Sequence, residues 1–257
     1  LMPKINKSEY SKRQFRLLQE QRRKEKTQQK LKKEAEENQR IYDENKKVIL
    51  EQKDYDLARQ KGKVAFVLGN GTSRKPIPVN DLKAKGKVYG CNALYRQYEP
   101  DYLVAVDTKM IIEINKTGWQ KKHEVWTNPN KAYMRFKDFN YFNPSKGWSS
   151  GPTALWLASE HAYETIYILG FDYRGLAEGT KFNNMYADTH NYKKSTDTAT
   201  FFGNWMRQTQ SVITSNPKIN YVRVVSDTCY IPKDFAKYSN VEHMNIKQFL
   251  KIIEDNE

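Results

Sequence analysis

The stretch Lys63-Val-Ala-Phe-Val-Leu-Gly69-Asn70-Gly71-Thr72-Ser73 decides how the rest of the chain is read. Five consecutive apolar residues, short enough for a strand and bounded by lysine and glycine, predict a strand buried on both faces. Two glycines and three small polar residues directly after it predict a loop at the carboxyl edge of a sheet, where open α/β folds bind ligands and where glycine lets backbone N–H groups come close to a phosphate or sugar. The loop is neither a GxGxxG fingerprint, because Lys75-Pro76 occupies the third glycine position, nor a P-loop, because no Gly-Lys-Ser/Thr follows. An ordinary tight turn is the bland alternative.

Downstream, short apolar runs alternate with helical stretches. Strands are expected at Lys87–Cys91, Tyr102–Val106, Lys122–Trp126, Glu164–Gly170 and Asn220–Val225, the last closing the sheet. Helices are expected at Gly151–Tyr163, with Pro152 suited to its first turn, at Thr198–Ser215 and at Ile246–Glu254. This alternation predicts an α/β domain over residues 62–257: a Rossmann-like, mostly parallel sheet with helices on both faces.

Upstream the composition changes. No proline or glycine lies between Pro3 and Gly62, and Gln, Lys, Glu, Arg and Leu dominate, which predicts a long basic helix over residues 1–61. Those residues hold 18 Lys and Arg against 11 Asp and Glu, half of the chain's net charge of +14 in under a quarter of its 257 residues. Phe15, Leu17, Leu18 and Leu31 do not sustain a heptad, so a long coiled coil is not expected. Residues Ile41 to Leu57 carry enough apolar side chains to dock on the domain. Residues 1–45 read as an arm for nucleic acid or a partner assembly, or as a solvated basic surface.

Hydrophobic residues make up 38% of the chain and mean hydropathy is −0.88. No run of about 18 apolar residues occurs, so no membrane span is expected, and the N-terminus shows no signal-peptide pattern. Cys91 and Cys229 are expected to be buried reduced thiols, which suits a cytoplasmic setting. A basic, arm-bearing enzyme would be at home among viral proteins, in host cytoplasm or virion.

Four further elements carry polar residues to the same sheet edge. Asn92 ends the second strand and could read a base or ribose. Asp107 follows Val104-Ala-Val106, where its carboxylate beside a phosphate requires an intervening divalent cation (Mg²⁺ or Mn²⁺) or a ligand hydroxyl. Ser149-Ser150-Gly151-Pro152 opens a helix whose free N–H groups and dipole favour an anion, and a plain capped helix is the alternative. Gly170-Phe171-Asp172-Tyr173 follows the next strand. The aromatic set Tyr133, Phe136, Phe139, Tyr141, Phe142 and Trp148 is either a stacking surface or core. His123, His161 and His243 form no metal-ligand spacing.

In this order and spacing, the strand ending in Gly69-Asn70-Gly71-Thr72-Ser73, the Cys91-Asn92 strand end, the Ser150-Gly151 helix start and Gly170-Phe171-Asp172-Tyr173 resemble the bacterial lipooligosaccharide sialyltransferases. The spacing from Pro100-Asp101 to Asp107 is similar to the related 6-hydroxymethylpterin pyrophosphokinase-like and motility accessory factor families. The resemblance covers about residues 63–232. It implies that Asn70, Asn92 and Ser150-Gly151 hold a nucleotide, with Gly69, Gly71, Thr72, Ser73, Ser149, Asp172 and Tyr173 around them. Thr72 stands where the family has proline, and Asp107 where the sialyltransferases have asparagine. Arg174, near the position of a phosphate-binding tyrosine, would offset charge on a leaving phosphate. The family's histidine base implies His190, although alignment on Thr196-Asp197 places Tyr192 there instead.

These readings converge on a transferase that takes a nucleotide-activated donor, of glycosyltransferase type, with His190, Arg174 and Asp107 as the catalytic set. Pyrophosphoryl transfer is a second reading. The third is a non-enzymatic nucleotide-binding fold whose working part is the basic arm.

Overall fold

The computed structural model describes residues 7–59, 63–226 and 230–254. In chain order the elements are α1 (Lys7–Arg59), β1 (Val64–Leu68), α2 (Val79–Leu82), β2 (Lys87–Cys91), β3 (Tyr102–Val104), α3 (Thr108–Thr117), β4 (Val125–Thr127) and β5 (Asn140–Tyr141). There follow α4 (Ser150–Glu160), β6 (Thr165–Leu169), α5 (Gly203–Ser215), β7 (Asn220–Val225), β8 (Val241–Asn245) and α6 (Ile246–Glu254). The strands form one eight-stranded sheet in the order β5-β4-β3-β2-β1-β6-β7-β8, and every pairing is parallel. This is the α/β Rossmann-like arrangement expected.

Helices cover both faces, and strand register shows it. Phe66 of β1 stands opposite Tyr167 of β6, and both rings pack on Phe249 of α6. Their sequence neighbours Ala65 and Ile166 point the other way. On that face Ile166 pairs with Tyr221, whose hydroxyl lies 2.8 Å from Ser159 Oγ on α4. Both faces are therefore removed from water, which is why β1 is an unbroken apolar run rather than an alternating one.

Five expectations need adjustment. The sheet is closed by β8, not by β7. Val241-Glu-His-Met-Asn245 is an edge strand with only partial burial, and so lacks the apolar signal of a central one. The two-residue β5 was too short to read. The fourth strand begins at Val125 rather than Lys122, because Trp119–Lys121 forms a 3₁₀ turn. The helix expected from Thr198 begins at Gly203. Last, α3 was not foreseen: Met110, Ile111 and Ile114 form its buried stripe.

The aromatic set resolves as packing. Tyr133, Phe139, Tyr141 and Phe142 are buried in the core, and Phe136 and Trp148 pack against it. No helix among the described residues is long and apolar enough to cross a membrane.

The long helix α1 touches the sheet at its edge strand β5. Ile41 is buried, as the docking expectation required. The side chains of residues 42, 43 and 45–57, most of that expected docking segment, lie outside the described residues, as does Cys229. Towards the N-terminus Phe15, Leu17, Leu18 and Leu31 are all exposed.

Candidate functional site

Strand β1 leads to β2 on one side of the sheet, while its other neighbour β6 leads to β7 on the opposite side. Connections that leave adjacent strands in opposite directions open a crevice between their carboxyl ends, and this is where such folds bind ligands. A cavity of about 250 Å³ lies there.

The strand ends after β1 and β6 are built against each other. Gly69 N donates to Leu169 O at 2.7 Å, and Gly71 N donates to Gly170 O at 2.9 Å. A Cβ on Gly69 would stand 2.6 Å from Gly170 O, and one on Gly170, whose φ is +69°, would stand 2.7 Å from Gly69 O. Neither approach tolerates a side chain. The glycines thus serve contact between two strand ends, and only secondarily contact with a ligand.

The rest of the loop turns inward. Thr72 N and Oγ1 donate to Asn183 Oδ1 at 3.0 and 2.9 Å. Ser73 N donates to Asp172 Oδ2 at 3.2 Å, and Ser73 Oγ also bonds the Asp172 carboxylate. Asn183 Nδ2 donates to Asp172 Oδ2 at 2.9 Å. Asn70 donates to Cys91 O at 3.0 Å and accepts from Arg74 at 3.2 Å. Gly69, Asn70 and Gly71 line the crevice, whereas Thr72 and Ser73 do not. This corrects the expectation that the whole loop presents donors to a ligand: most of its donors already have acceptors inside the fold.

Arg74 was not foreseen from the sequence. It is buried at 1% exposure and bonds Gly69 O, Asn70 Oδ1 and Tyr186 Oη. Beside it Cys91, which lines the crevice, donates to Leu68 O at 3.3 Å. Burial pushes this thiol up to about 12, so it stays neutral.

The crevice is different around β3 and α4. Ser150 Oγ accepts from Val106 N at 3.1 Å and donates to Asn92 Oδ1 at 2.8 Å. That contact holds Asn92 in a left-handed conformation, φ +51°, which asparagine tolerates better than most residues. Both residues line the crevice as expected. The Ser150 hydroxyl is occupied, while Asn92 Nδ2 has no protein acceptor among the described residues. Ser149 N donates to Gln208 Oε1 on α5, and the first-turn amides of Ser150 and Gly151 have no intrahelical acceptor.

Asp107 lines the crevice at the N-terminal end of α3 and makes no capping bond with its side chain. Among the described residues its carboxylate has no hydrogen-bond partner or counter-ion. The side chain is reached by solvent from the mouth, yet the walls beside it desolvate the carboxylate and raise its pKa. Asp172 also lines the crevice, but its carboxylate is taken up by Ser73 and Asn183. No cluster of three or more His, Cys, Asp or Glu that could hold a metal occurs among the described residues. Asp107 alone does not make a protein cage. One carboxylate with ligand phosphates does suit Mg²⁺, which keeps waters and substrate oxygens as its other ligands.

The segment 171–202 covers the remaining side. Lys181 bridges Leu176 and Thr198 in short antiparallel contacts, and Met185 N donates to Asn70 O at 2.7 Å. Phe182 and Phe202 from this segment and Trp205 from α5 bring aromatic surface to the crevice, which the sequence did not reveal. Arg174 lines it too, exposed and without a carboxylate partner among the described residues. Tyr173 contributes to the lining, but its phenol is buried and donates to Thr209 Oγ1 at 2.6 Å. It serves packing on α5, not an anion.

His190 is not brought to the crevice. It is exposed on a turn and does not line the cavity, and its carbonyl accepts from Arg96 Nη2 at 2.9 Å. Arg96 also binds Glu113 through two nitrogens at 2.7 Å, and Asn191 donates to the same carboxylate, so the turn is latched to α3. Tyr192, the alternative position, does not line it either. Its hydroxyl accepts from Ala93 N at 3.3 Å.

The chain matches no protein-family model, no curated protein and no solved structure.

Proposed function

We propose that the protein is a transferase acting on a nucleotide-activated donor, of the glycosyltransferase type that its motifs resemble. The observation that carries this reading is the contrast in hydrogen bonding within one crevice at the switch point of the sheet. The Asp107 and Arg174 side chains, Asn92 Nδ2 and the first amides of α4 have no protein partner among the described residues, while Asp172, Ser150 Oγ and Tyr173 Oη beside them are hydrogen-bonded. Unpartnered acceptor, cation and donors around an aromatic-lined cavity suit a ligand with a flat base, hydroxyls and a phosphate. A cavity of about 250 Å³ is sized for the nucleotide part of a donor, with the transferred group toward the mouth.

In this reading the phosphate lies against Arg174 and the start of α4, whose positive ends offset the charge that develops as it leaves. An acceptor hydroxyl attacks the donor carbon, the bond from that carbon to the phosphate oxygen breaks, and the hydroxyl proton passes to Asp107. A carboxylate with a raised pKa is better matched to that task than an ordinary one. Where the donor is a diphosphate and Asp107 with phosphate oxygens would instead hold a divalent cation, the cation would supply charge neutralisation and the acceptor proton would pass to solvent water.

Thermal-shift measurements with CMP, UDP, GDP and ATP, each with and without Mg²⁺ or Mn²⁺, test the reading. One nucleotide is expected to raise the melting temperature, and Arg174→Gln to reduce that rise. Absence of any nucleotide-dependent shift would sink it, and a shift by ATP only with Mg²⁺ would favour pyrophosphoryl transfer.

A further inference from the structure

Along α1, Lys12, Arg16, Gln19, Arg23, Lys26, Lys30 and Lys33 follow one another at alternating steps of four and three residues. Six of the seven are cations. A repeat of 3.5 residues drifts only about 20° per heptad on a straight α-helix, so all seven lie along one side. At 1.5 Å per residue the stripe is about 32 Å long. Every one of these side chains is exposed.

Most described cations off the stripe are ion-paired, whereas Arg22, at the stripe's edge, has no carboxylate partner among the described residues. Lys24 and Lys32, which lie off it, reach Glu20 at 2.9 Å and Glu36 at 3.9 Å. Arg40 reaches Glu37 at 2.8 Å. On the stripe only Lys30 has such a neighbour, Glu34 at 3.8 Å. Lys12, Arg16, Arg23, Lys26 and Lys33 have no carboxylate partner among the described residues. The stripe ends where Glu34, Glu36 and Glu37 begin.

We infer that this stripe is a docking surface for the phosphate backbone of duplex nucleic acid. A line of evenly spaced, unpaired cations is complementary to a linear polyanion with a regular charge repeat, and 32 Å is close to one turn of B-form DNA. Acidic lipid is disfavoured by the same helix. A membrane-surface helix needs one apolar face, whereas Phe15, Leu17, Leu18 and Leu31 are spread around the axis at 100° per residue. The inference does not depend on the crevice.

The test is binding of the full chain to a labelled 20-base-pair duplex of arbitrary sequence across a salt series. Six phosphate contacts predict a slope of log K against log salt of about −5. The triple variant Arg23→Gln, Lys26→Gln, Lys30→Gln is expected to bring the slope to about −3 and to weaken low-salt binding more than tenfold. Glutamine has similar helix propensity, and circular dichroism checks that the helix is kept. The control Lys24→Gln, Lys32→Gln, Arg40→Gln removes the same charge away from the stripe and is expected to cost less than threefold. Equal losses in the two triples would reduce the effect to net charge and overturn the assignment. So would salt-insensitive binding, or binding to phosphatidylserine vesicles without binding to the duplex. Asp107→Asn should bind the duplex like the unmodified chain, so that failure here and failure of the crevice reading are told apart.

Discussion

Two strand ends of one sheet, after β6 and after β3, each present an aspartate to the crevice, and their surroundings differ completely. Asp172 accepts from Ser73 N, Ser73 Oγ and Asn183 Nδ2. The Asp107 carboxylate accepts from nothing among the described residues, and desolvation by the crevice walls raises its pKa. A carboxylate surrounded by donors holds loops together. A carboxylate left half-desolvated without a partner costs stability, and its natural complement is a ligand. Identical residue types at equivalent places in the fold thus have opposite roles.

Asp107→Asn should lower turnover of donor and acceptor by roughly a hundredfold or more while leaving nucleotide affinity within about threefold; turnover at the normal rate would remove Asp107 from the chemistry. Asp172→Ala should do the reverse and act on folding. It strands Ser73 N, Ser73 Oγ and one of the two Asn183 Nδ2 protons, the other staying on Arg174 O, and chemical denaturation should show a loss of about 3 kcal/mol. A loss below about 1 kcal/mol would mean that those donors find water and that the loops do not rely on Asp172.

Arg174→Gln should raise the nucleotide dissociation constant about tenfold, as for an interaction of about 1.4 kcal/mol, with little change in stability because the side chain has no partner among the described residues. Substitution of His190 by alanine should leave turnover within about twofold. A large loss there would show that the 186–197 turn swings into the crevice on binding, and would restore the family-like base.

The smallest effect is on pH dependence. Because the folded-state pKa of Asp107 is raised, the folded chain binds more protons than the unfolded chain between the ordinary aspartate value and that raised value. Stability contributed by this group therefore falls as pH rises through that window. Asp107→Asn should melt slightly higher than the unmodified protein at neutral pH, and the difference should vanish below about pH 4. The opposite ordering at neutral pH would indicate that Asp107 has a stabilising partner after all.

Legibility of the site followed the range of the interactions involved. Apolar runs and the residues that follow them are local signals, and they located β1, β2, β3, β6 and β7 with the polar residues at their ends. What each of those residues does was not local. Thr72 and Ser73 read as ligand donors, yet their acceptors, Asn183 and Asp172, lie about a hundred positions away. Phe182, Phe202 and Trp205 reach the crevice from a long irregular segment and the helix after it, where periodicity carries no information. Arg74 would be taken for a surface cation by type. Only the assembled fold reveals three oxygens around it and no solvent.

The sequence by itself determined the sheet-and-helix alternation, the crossing of both sheet faces by apolar residues, the basic helix, and the Gly69–Gly71 loop at a strand end. These follow from side-chain period, propensity and glycine's small size, which are properties of neighbouring residues. Tertiary structure decided which polar groups are partnered. It turned most of the Gly69–Ser73 loop inward, tied Asn92 to Ser150, kept His190 out of the crevice and left Asp107 and Arg174 open to it. Hydrogen-bond satisfaction is a property of the packed whole, since each donor's acceptor can come from any part of the chain.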